Sequence, residues 1–166
     1  MKRLEPFETI IWATLVAGVL DIGSVLAYWL AQGAPPEAIL RAIATSVLGP
    51  AANDGGAAAA ALGLLLHFFV SFVFAAAYVL LALRMPALKR RPILFGLLYG
   101  AVAYVIMVFA VVPASLATFG RSWPPPLDQL AVSVGIHLFL FGLPIALVTS
   151  RMRSAILVAG PASTAI

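Results

Sequence analysis

The chain has 166 residues, 63% of them hydrophobic and 10% charged, and ten Lys and Arg against six Asp and Glu give a net charge of +4. That apolar content, with a mean hydropathy of +1.09, excludes a single water-solvated domain, whose surface must be largely polar and charged. The basic residues sit at the ends of apolar runs and form no Lys- and Arg-rich face, which argues against nucleic acid as a partner. The lack of Cys excludes disulfides, a thiol nucleophile and Cys-ligated metal.

A helix needs about 20 apolar residues to cross the roughly 30 Å hydrocarbon core. Four runs meet that length, and the first is residues 7–31, preceded by Lys2 and Arg3. Its apolar stretch exceeds the roughly 7 to 15 residues of a signal peptide, so it is expected to be a retained span. Trp12 and Trp29 bracket it about 25 Å apart at 1.5 Å per residue, as an aromatic belt would. Between the first two spans, residues 37–49 read as a short outer helix. Pro35 and Pro36 start it, Glu37 and Arg41 pair at i,i+4, and Gly49 with Pro50 stops it. Ile39, Leu40, Ile43, Val47 and Leu48 are expected on one face, lying in the outer interface or capping the bundle. Asn53 and Asp54 are expected to cap the second span, with Gly55 and Gly56 turning the chain back into the membrane.

The second span is expected over residues 56–83 and the third over residues 92–112, separated by Arg84, Lys89, Arg90 and Arg91. In the third, Gly96 and Gly100 form a small-xxx-small pair that permits close helix approach. An outer loop over residues 114–126 holds Arg121, Trp123 and a run of three prolines, which predicts a stiff entry to the fourth span at residues 127–148. Pro144, with Gly142 before it, is expected to distort that last helix. Residues 154–166 form a small-residue tail after a single four-helix domain over residues 1–153. Eight of the ten basic residues lie on one side of this topology and only Arg41 and Arg121 on the other, so the positive-inside rule predicts that both termini are cytoplasmic.

Counting from the outer end of each span places Asp21, His67 and His137 about ten residues in, with Tyr104 at the matching level of the third span. A charge at mid-membrane depth costs about 2.5–3.5 kcal/mol on insertion scales, so this layer demands a reason. Asp21 could accept hydrogen bonds from a His, Ser24 or a Tyr and hold the helices in register. It could exchange protons with the two imidazoles, or His67 and His137 could ligate a haem b iron or another metal. No Walker loop, His-Glu-x-x-His helix, Gly-x-Ser-x-Gly elbow or dinucleotide fingerprint is present, which gives no support to an enzyme.

The run His67, Ser71, Val73, Phe74, Ala75, Tyr78, Pro86 and Lys89 resembles the corresponding stretch of the YagU-like inner-membrane proteins of bacteria, a family of unknown function. The likeness extends more loosely to Gly96, Gly100, Pro113 and His137, covering roughly residues 64–142. It implies a four-span inner-membrane protein with paired histidines and transfers no reaction. The expectation is therefore an all-α, four-helix membrane bundle that acts as a non-catalytic accessory or structural component, self-associating or docking on other membrane proteins. A small proton-coupled channel or transporter using Asp21, His67 and His137 is the alternative, and a haem-binding redox subunit the second.

Overall fold

A computed structural model of the chain describes residues 4–116 and 126–153. Lys2, Arg3, Arg121, Trp123 and the tail over residues 154–166 therefore lie outside the described residues. The described fold is all-α: α1 (Pro6–Ala31), α2 (Pro36–Leu48), α3 (Gly56–Arg84), α4 (Pro86–Arg90), α5 (Pro92–Ala114) and α6 (Leu127–Ser150). α1, α3, α5 and α6 are long and apolar enough to cross a bilayer, so the chain is a multi-pass membrane protein. Proline opens α1, α2, α4 and α5, because at the first helical position its missing N–H has no carbonyl to reach. α1 adds a capping box in which the Glu5 N–H donates to Glu8 Oε2 at 3.1 Å.

The packing is that of a protein in lipid. Small residues fill the centre, with Ala13, Ala17, Ala75, Ala82, Ala103 and Ala146 almost fully buried, while Phe7, Val19, Phe69, Leu80, Leu98 and Phe109 face outward. Hydrocarbon is as apolar as leucine, so these helices gain most from close contact between backbones. α1 lies between α3 and α6, and α5 packs against α6. The α5–α6 contact is built on Gly96, Gly100 and Gly142. A Cβ on Gly100 would run into the His137 carbonyl oxygen and come within 2.7 Å of Leu138 Cα. The Gly96–Gly100 pair is thus occupied within one copy of the chain.

α5 and α6 each contain a widened turn, of π geometry, at Met107–Val111 and Ile136–Gly142. Both end just before a proline, Pro113 and Pro144, whose ring clashes with the i−4 carbonyl and which lacks an N–H. The i→i−5 bonds from Val112 to Met107 and from Leu143 to Leu138 accommodate the proline without breaking the helix. The expected distortion at Pro144 takes this form.

On the apolar face of the outer helix, Ile39, Leu40 and Ile43 are half-buried. Ala44 and Thr45 are buried, while Val47 and Leu48 are exposed. The reason lies on α3, where a Cβ on Gly63 would run into the Leu40 carbonyl and come within 3.3 Å of the Ala44 nitrogen, so only small groups fit the seam. Glu37 and Arg41 pair as expected, at 3.4 Å. Asn53 and Asp54 do not cap α3: a 3₁₀ turn over Gly49–Asp54 carries the chain past them, both side chains are exposed, and Gly55 takes the N-cap position without a side-chain bond.

At the opposite end, Leu4 and Met152 form a parallel bridge in which Leu4 N donates to Arg151 O and Arg153 N to Leu4 O, with Arg153 and Glu5 paired at 2.7 Å. The described ends of the chain therefore meet, as an even number of crossings requires. Gly100→Ala is expected to destabilise the bundle by at least about 1–3 kcal/mol, the usual overpacking cost. Gly23→Ala meets nothing within 4 Å and should be neutral or stabilising by up to ~1 kcal/mol. Thermal unfolding in detergent compares them, and equal midpoints would contradict the α5–α6 contact.

Candidate functional site

At Gly18, α1 leaves room for side chains of α3. A Cβ there would lie 2.7 Å from the Phe68 ring and 3.4 Å from Ser71 Oγ. The missing side chain lets His67, on α3, reach across to α1, where its Nε2 lies 3.0 Å from the Gly18 carbonyl oxygen. A carbonyl only accepts, so His67 Nε2 carries a proton and donates. The other ring nitrogen, Nδ1, then faces Asp21 Oδ2 at 3.9 Å, beyond direct hydrogen-bond length. Asp21 is 8% exposed, and its second oxygen, Oδ1, is buried with no hydrogen-bond partner.

On the other side of the bundle, His137 stands in the widened turn of α6. Its Nδ1 donates to the Ser133 carbonyl at 2.9 Å, which leaves Nε2 as the lone-pair nitrogen of the neutral ring. Tyr104 of α5 meets His137 edge to face at 5.3 Å between ring centres, and Phe141 lies 6.0 Å from the same imidazole. The four residues expected at one level thus form two pairs, Asp21 with His67 and Tyr104 with His137, supplied by all four long helices. Ser24 is not a partner of Asp21, because its hydroxyl donates to the Leu20 carbonyl at 2.6 Å. An i−4 carbonyl is always in reach of a helical serine, and it wins over a carboxylate that turns toward α3.

The donor pattern fixes what the site can do. With Nε2 committed as a donor, a neutral His67 turns a lone pair toward Asp21, and an ionised carboxylate there would set lone pair against lone pair. One proton between the two groups resolves the conflict, on the carboxyl or on the imidazole. Haem ligation through both imidazoles would need a free lone pair on each. His67 Nε2 is spent on Gly18, and its Nδ1 is turned to Asp21. No family model, curated protein or solved structure matches this chain, so no residue role is carried over from elsewhere.

Gly18 was not singled out from the sequence, and Ser71 only as part of the family resemblance, yet a signal was there: Gly18 precedes Asp21 by one turn and Ser71 follows His67 by one turn, on the same helix faces. Nitrogen-15 spectra of histidine-labelled protein should show His67 with its proton on Nε2 and neutral His137 with its proton on Nδ1, the form less favoured by free imidazole. The opposite tautomers would refute the assigned donors.

Proposed function

We propose that the protein is a small proton-coupled channel or transporter in which the Asp21–His67 pair holds one exchangeable proton. The observation that carries this reading is the buried Asp21 carboxylate, with one orphan oxygen and an imidazole at 3.9 Å. As structural glue the pair makes little sense. Hydrogen bonds inside membrane bundles average about 0.6 kcal/mol, whereas a mid-membrane charge costs about 2.5–3.5 kcal/mol. Roughly four to six good bonds would be needed to break even, and Asp21 shows one loose contact. A group kept at such cost in hydrocarbon is by default a functional one, and a carboxyl beside an imidazole is suited to taking up and releasing a proton.

One packing feature compatible with self-association, the Gly96–Gly100 pair, is used between α5 and α6 of the same copy. The location we propose is a bacterial inner membrane, in keeping with the resemblance to YagU-like proteins. Arg84, Lys89, Arg90, Arg91, Arg151 and Arg153 cluster at the end that joins Leu4 to Met152, and Arg41 stands at the other. The positive-inside rule sets the basic end in the cytoplasm.

Proteoliposomes of the purified chain loaded with a pH-sensitive dye should dissipate an imposed proton gradient faster than protein-free vesicles. Asp21→Asn, nearly isosteric, should return the rate to that background. A wild-type rate equal to empty vesicles overturns the proposal.

A further inference from the structure

The two halves of the bundle differ in what leads to the Asp21–His67 pair. Toward the end that holds Leu4 and Met152, the inward face of α3 continues from His67 through Ser71 and Phe74 to Tyr78, at steps of four, seven and eleven residues. At 1.5 Å per residue this covers roughly 16 Å, about half the hydrocarbon thickness. Ser71 and Tyr78 are each 1% exposed. Ser71 Oγ donates to the His67 carbonyl at 2.9 Å, Tyr99 of α5 donates to the Phe74 carbonyl at 2.7 Å, and Tyr78 donates to the Leu88 carbonyl of α4 at 3.4 Å. The Tyr78 and Tyr99 rings meet edge to face at 4.8 Å.

Toward the other end, the same face of α3 runs through Gly63, Ala60 and Ala59, with no polar side chain, and the backbone of α2 is seated on Gly63. We infer that protons reach the Asp21–His67 pair from the end holding Leu4 and Met152, along Ser71, Tyr99 and Tyr78, while α2 closes the opposite half. The inference rests on the reading of that pair as a proton-exchanging site. The aromatic packing does not explain the hydroxyls, since phenylalanine rings would meet edge to face equally well. Each hydroxyl gives its one proton to a main-chain carbonyl and keeps lone pairs free to accept. The route requires water molecules between these hydroxyls, each turning from its carbonyl as it passes a proton inward. As a proton moves inward, each oxygen accepts one proton and releases another. No charge stays on a tyrosine, and one proton passes in total from bulk water to the Asp21–His67 pair.

The test uses the full chain in dye-loaded vesicles. Tyr99→Phe and Ser71→Ala should each slow the Asp21-dependent flux by about tenfold or more, in keeping with the loss of a proton-transfer group. Their thermal midpoints in detergent should stay within a few degrees of wild type, and infrared difference spectra should retain the Asp21 carboxyl band. Thr45→Val, which removes a buried hydroxyl of α2 in the opposite half, should leave the flux unchanged. Wild-type rates in both Tyr99→Phe and Ser71→Ala overturn the route, as does an equal slowing by Thr45→Val. If Tyr99→Phe does not fold, Ser71→Ala decides alone. Absence of Asp21-dependent flux in the wild type overturns the site itself, a result distinct from failure of the route.

Discussion

Contact between helix backbones, possible only where a Cβ is missing or small, is the constraint from which the rest of this structure follows. Lipid offers no hydrophobic drive for one apolar helix to prefer another over the surrounding chains, so dispersion at short range must supply the preference. Each close contact also places a polar group. The approach at Gly18 brings His67 onto a carbonyl of α1 and leaves its second nitrogen facing Asp21. The approach at Gly100 sets α5 against the His137 backbone, which brings the Tyr104 ring to the imidazole. The contact at Gly63 seats α2 over one half of α3. Packing and site are therefore a single arrangement, and a side chain added at one of these glycines disturbs both.

The prolines work alongside the glycines. Pro113 and Pro144 fall inside long helices, where an aqueous protein would bend and let water satisfy the freed carbonyl. In hydrocarbon the bond must be recovered internally, and the widened turns ahead of each proline recover it. His137 lies in one such turn and keeps its own bond to Ser133 four residues back.

How much of this could be read from the sequence depends on the coordinate in question. Depth is one-dimensional and is obtained by counting residues, so the four spans were legible, and so was the pairing of Asp21 with His67 and of Tyr104 with His137 as neighbours in depth. Helix starts were legible because proline states them chemically. Rotation about each axis was not, because a helix that is apolar all round carries no stripe to mark its inner face. That is why Ser24 looked like a partner for Asp21 and instead bonds its own helix. Asn53 and Asp54 failed for a local reason: a 3₁₀ turn shortens the approach to α3 and passes the cap position to Gly55.

The acidic residues show how unusual Asp21 is. Glu5 and Glu37 sit at helix starts and pair with Arg153 and Arg41, Glu8 completes a capping box, and Asp54 and Asp128 are exposed. In those places water screens the charge, and a pair contributes ~1 kcal/mol or less. Asp21 alone among them is surrounded by helices. The low dielectric that makes its charge costly also strengthens every interaction it has with neighbouring imidazoles. A small displacement of His67 or His137 there changes the balance between a protonated and an ionised carboxyl far more than the same movement at the surface. On the reading we propose, the bundle concentrates that sensitivity at one residue.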